Sequence, residues 1–152
     1  METTPYTRKE IREFVHLSIR EFEHLLFEAY REEVGVKCPL TISSVEKISS
    51  EAVYRWEAWL NLKFVGFKSD GCTGVPSLSA LAACVWHDLL YYVGFPKRLS
   101  DLELMYYIRS LKYKTWFSWA KNYLWGNLYY VGTRLFGIRA YNQHCRRRAR
   151  DC

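Results

Sequence analysis

The chain has 152 residues, enough for one domain with a real hydrophobic core and too few for two ordinary ones. Hydrophobic residues make up 49% and charged residues 25%, a balance that excludes a disordered, collagen-like or low-complexity chain. The formal net charge is +6, and the 17% aromatic content needs a core, a partner surface or a membrane interface to house it.

The first ten residues contain no apolar run of the signal-peptide kind, and no stretch approaches the roughly 18 uninterrupted apolar residues of a spanning helix. The expectation is a chain kept in the cytoplasm of a host cell or packed into a particle. Cys38, Cys72, Cys84, Cys145 and Cys152 are irregularly spaced with no C-x-x-C pair, which makes reduced thiols the default reading.

The first predicted element is a long helix over residues 7–35. Thr7 and Glu10 form a capping box, Ile11, Phe14, Val15, Ile19, Phe22, Leu26 and Tyr30 recur at helical steps, and Gly35 supplies the stop. His16 and His24 lie in this helix without the neighbours that a metal site requires. Residues 36–65 read as a turn followed by a strand, because Tyr54, Trp56, Ala58, Leu60, Leu62 and Phe64 alternate with polar residues. A short strand near Lys37–Ile42 is its expected partner. A glycine-rich loop follows from Gly66 to Pro76.

The next helix is predicted over Leu78–Val93 with Gly94 as its stop. Leu78, Leu81, Ala82, Val85, Leu89 and Tyr92 form one face, and Cys84, His87, Asp88 and Tyr91 the other. Ser100 and Glu103 form a second capping box and open a helix through about Lys112. Thr115 opens the last helix, whose stripe is Phe117, Ala120, Leu124, Leu128, Val131 and Leu135, with Gly126 and Gly132 as weak points. A basic tail over 138–152 ends in Arg146, Arg147, Arg148 and Arg150. Four arginines in five positions and no apolar stripe predict a tail that contributes little to folding.

Phosphate-binding G-x-x-x-x-G-K, dinucleotide-binding G-x-G-x-x-G, H-E-x-x-H and G-x-S-x-G patterns are all absent. What remains is the loop Lys68–Pro76 followed by Ala83–Tyr91. A glycine-rich loop can turn backbone carbonyls toward one point, and a carboxylate on the adjoining helix can complete a hard-cation site of the kind calcium favours. His87 and Tyr91 are four residues apart and share a face. A neutral imidazole beside a bound cation can take a proton from water. Asp101, at the start of the antiparallel neighbour, can hold the other ring nitrogen.

The block Asp70-Gly-Cys-Thr, Pro76 and Cys84-x-x-His87-Asp88-x-x-Tyr91 resembles a family of small uncharacterised phage and prophage proteins. Arg98-Leu-Ser-Asp101 and Tyr130-Val-Gly-Thr-Arg134-Leu-Phe-Gly137 resemble its later motifs. The C-x-x-H-D-x-x-Y core is similar to secreted phospholipase A2. That resemblance covers about residues 66–137. It implies His87 as general base, Asp101 as its orienting acid, Tyr91 as support and Asp88 as calcium ligand. It also implies further calcium ligands at Asp70, Gly71 and Thr73, and a loop disulfide between Cys72 and Cys84. The expected architecture is mainly α in a single domain: an antiparallel helix pair with a phospholipase-like core, a small β element and a long N-terminal helix.

Two functions follow from different classes. One is a calcium-dependent, phospholipase-like hydrolase acting on a lipid or other acyl ester. The other is a non-catalytic structural or interaction protein of a virus particle or host contact, in which the helix pair survives as packing. The aromatic C-terminal third reads either as a peripheral membrane helix, with Trp116, Trp119, Tyr123 and Trp125 near Lys112, Lys114, Lys121, Arg134 and Arg139, or as a helix packed on two faces. Nucleic acid enters only through the arginine tail, because those four arginines removed leave a net charge of +2. His144, Cys145 and Cys152 are too few for a closed zinc site.

Overall fold

A computed structural model describes residues 13, 17–35, 50–64, 67–69, 81–109 and 116–151. Among the described residues six helices are bounded: α1 Ile19–Val34, α2 Ser50–Lys63, α3 Leu81–Val93, α4 Lys97–Arg109, α5 Trp116–Phe136 and α6 Ile138–Asp151.

α1 is capped by Ser18 in an extended conformation, so the helix expected over residues 7–35 does not run unbroken; the Thr7–Glu10 box lies outside the described residues. Ser18 and Glu21 form a reciprocal capping box, and Gly35 closes the helix at φ 68° with its N–H on the Arg31 carbonyl. Its inward face is Phe22, Leu26, Phe27 and Tyr30.

Residues 50–63 are helical, which corrects the expected β element: no strand or sheet is present among the described residues. The alternation of Tyr54, Trp56, Ala58, Leu60, Leu62 and Phe64 hides a second spacing. Val53, Trp56, Leu60 and Phe64 recur at three, four and four residues and are all buried, whereas Tyr54 and Leu62 are exposed. The proposed partner strand at Lys37–Ile42 lies outside the described residues. Glu33 fixes α2 to α1, accepting from the Trp59 indole N–H at 2.9 Å and pairing with the Lys63 ammonium at 2.5 Å.

α3 is the central helix. Every residue from Ala82 to Val93 is buried, so the expected division into an inward and an outward face does not hold. Aromatic rings build the surrounding core: Phe22 stacks on Trp86 at 5.8 Å and meets Phe95 at 5.5 Å, and Phe67 meets Tyr92 edge-on at 5.6 Å. Gly94, at φ 85°, ends α3 where expected.

α4 turns back beside α3 but starts at Lys97, one turn's length before the predicted box. Ser100 therefore sits inside the helix, where its hydroxyl donates to the Pro96 carbonyl. Arg20 links α1 to α4 by reaching both Glu23 at 2.9 Å and Glu103 at 3.5 Å.

α5 runs unbroken past Gly126 and lies along α4. A Cβ at Gly126 would stand 2.9 Å from the Arg109 side chain and 3.0 Å from the Met105 carbonyl, so this glycine serves close approach, not a kink. The predicted apolar stripe is not the packed face: Leu124, Leu128, Val131 and Leu135 are exposed. Trp125 and Tyr129 pack against the core instead. After Gly137 the chain forms α6, which returns to α3, with Tyr141 edge-on to Tyr91 at 5.0 Å.

The helical reading of residues 50–63 separates two side chains that strand alternation would bury together. Trp56→Ala is expected to cost about 3–5 kcal/mol in denaturant unfolding, and Leu62→Ala to stay within about 0.5 kcal/mol. Similar losses at both positions would restore the strand.

Candidate functional site

The side chains expected to carry chemistry meet between α3, α4 and α5. Asp101 is wholly buried at the start of α4. Its Oδ1 accepts from His87 Nε2–H at 2.8 Å and from the Tyr91 hydroxyl at 2.5 Å. Its Oδ2 accepts from Lys97 Nζ at 2.8 Å and faces Arg134 Nη1 at 3.5 Å. Helical spacing explains the convergence: His87 and Tyr91 lie one turn apart on α3, and Lys97 and Asp101 one turn apart on α4.

Burial alone would raise the Asp101 carboxyl, but the bonds from His87, Lys97 and Tyr91 outweigh it and hold it below its ordinary value. Burial lowers His87 despite Asp101 and keeps the ring neutral. An ionised carboxylate only accepts, so the proton of this neutral ring sits on Nε2. Burial and then the bond to Asp101 push the Tyr91 phenol far above its usual range.

The site thus brings together His87, Asp101 and Tyr91. Asp88 does not join them: its Oδ2 accepts from the Ser69 hydroxyl at 2.8 Å. Cys84 is disulfide-bonded, contrary to the reduced-thiol default. Asp70, Gly71, Cys72 and Thr73 lie outside the described residues.

Calcium is corrected here. Among the described residues no group of three or more His, Cys, Asp or Glu side chains is placed to hold a metal ion. The calcium cofactor and the calcium-dependent hydrolase built on it are therefore not supported. Asp101 is surrounded by hydrogen-bond donors, the opposite of a ligand shell open to a cation.

Sequence reasoning missed Lys97 and Arg134 as partners of Asp101. Lys97 carried a usable signal, its i, i+4 spacing to Asp101. Arg134 is 33 residues from Asp101 and no local pattern joins them.

No family model, curated protein or solved structure matches the chain. The phage, viral, phospholipase and hydrolase descriptions gain no support from these comparisons.

The folded state keeps His87 neutral where an unfolded chain would protonate it below about pH 6.5. The unfolded state then binds more protons, so this group's contribution to stability falls as pH drops below that value. Urea unfolding should show a flatter pH dependence between about pH 7 and 5 for His87→Gln, whose amide can still donate to Asp101. An unchanged slope would mean that His87 protonates freely in the folded protein.

Proposed function

We propose that this chain is a non-catalytic binding protein in which His87, Tyr91, Lys97 and Asp101 form a buried clasp between helices. The supporting observation is the full occupation of Asp101. Both of its oxygens are engaged, by donors from three helices, and the His87 side chain beside it is only 8% exposed. A general base needs a path by which water or substrate reaches its free nitrogen. Here the ring lies against Tyr91, with centroids 4.1 Å apart, inside the most buried helix.

The clasp has a structural task. Lys97 spans the gap between elements, donating to Asp101 and, at 2.6 Å, to the Thr133 carbonyl of α5. A Cβ on Gly137 would lie 3.0 Å from the Tyr91 hydroxyl, so the turn into α6 is seated on the same group. The clasp sets where α5 ends and where α6 returns.

The test is the full-length chain assayed for release of acid from short-chain esters and phospholipid, with and without calcium. The expected result is no turnover above buffer. Asp101→Asn should destabilise the fold by about 3–5 kcal/mol, because it leaves Lys97 partly buried without its counter-charge. Turnover abolished by His87→Asn at an unchanged melting temperature would refute the binding-protein reading.

A further inference from the structure

α5 packs through one side and leaves its most apolar side outward. Gly126, Tyr129 and Thr133 face α4 and the clasp. At 3.6 residues per turn the opposite side carries Phe117, Leu124, Leu128, Val131 and Leu135 in one row about 27 Å long. Phe117 is 74% exposed, Leu135 66%, and the three between them at least half. Ile138, just past the turn, is also exposed.

Charge is segregated to the same part of the chain. Residues 104–150 hold ten Lys and Arg and no Asp or Glu, while the remainder holds twelve against sixteen. Lys121 borders the row on one edge and Arg134 on the other, and both are exposed. Arg139 and Arg146 are exposed on α6, the helix that follows.

These charges select the occupant. A second copy of the chain packed on this row would set Lys121 and the exposed arginines of α6 against their equals, and residues 104–150 supply no acid to relieve them. No described helix is long and apolar enough to cross a membrane. An apolar row edged by cations on a helix fixed to a folded body matches the boundary of an anionic bilayer, where apolar side chains enter the acyl region and cations meet acidic headgroups. We propose that the chain docks on anionic membrane surfaces through the exposed row of α5, with the cations of α5 and α6 holding the headgroups. This proposal rests on the reading of the chain as a binding protein and names its partner.

The test is flotation of the full-length chain with vesicles of phosphatidylcholine alone and of phosphatidylcholine with phosphatidylglycerol. Binding is expected on the anionic vesicles alone, falling with added salt. Leu124→Glu with Leu128→Glu should weaken it about tenfold or more at an unchanged melting temperature, since both side chains are exposed. Arg139→Glu should weaken it less. Failure to float with anionic vesicles, or equal binding by the double variant, overturns the proposal. So does a dimer in sedimentation that the double variant dissolves, which would make a second copy the occupant. Fatty-acid release from bound vesicles that His87→Asn abolishes would instead overturn the non-catalytic reading and leave the docking surface standing.

Discussion

The constraint on which the arrangement depends is the burial of one carboxylate. Asp101 is 0% exposed, and an ionised carboxylate out of water is costly unless charge and hydrogen bonds compensate it. Compensation comes from His87 and Tyr91 on α3, Lys97 on α4 and Arg134 on α5. No single helix could supply all four. Satisfying this one group therefore fixes three helices at once, which hydrophobic contact, being non-directional, does less sharply.

The rest of the interior is largely aromatic, which raises the cost of leaving this polar point unpaired. Phe22, Trp56, Phe64, Trp86 and Tyr92 are all essentially inaccessible; Phe22 stacks on Trp86, and Phe64 meets Phe22 and Tyr92 edge-on. Two acids between α1 and α4 are handled at lower stakes. Glu23 and Glu103 share Arg20, and burial pushes both carboxyls up. That pair is relieved by taking up protons, whereas Asp101 is held ionised by its donors. Acid therefore acts on the two clusters in opposite directions.

Much of this was legible in the sequence where the signal is local. Gly35 and Gly94 end α1 and α3 because a left-handed residue is needed there, and the approach of His87, Tyr91 and Asp101 follows from i, i+4 spacing plus a short turn between antiparallel helices. The failures have equally physical causes. In residues 53–64 period two and period 3.6 share Trp56, Leu60 and Phe64, and only the exposure of Tyr54 and Leu62 decides between them. On α3 all sides are covered, so no pattern marks a face. On α5 the most regular apolar row lies outside, because part of the inner contact is made by Gly126 and the Thr133 carbonyl, which carry no hydrophobic signal, beside Trp125 and Tyr129.

That inversion on α5 connects the interior to the surface. A helix that packs through Gly126, Trp125 and Tyr129, with Lys97 on the Thr133 carbonyl, leaves Leu124, Leu128, Val131 and Leu135 more than half exposed. Exposed apolar rows of this length are costly to solubility and persist where something covers them. The clasp gives the row a fixed direction: Arg134 and the Thr133 carbonyl, both held at the Asp101 site, belong to the last turn of α5, so the outer row is carried on an anchored helix. The acids of α1, including Glu21, Glu28, Glu32 and Glu33, lie in the part of the chain with net negative charge. On the proposed docking, residues 104–150, with ten cations and no acid, carry the attraction to acidic headgroups, and the apolar row of α5 supplies the contact that follows.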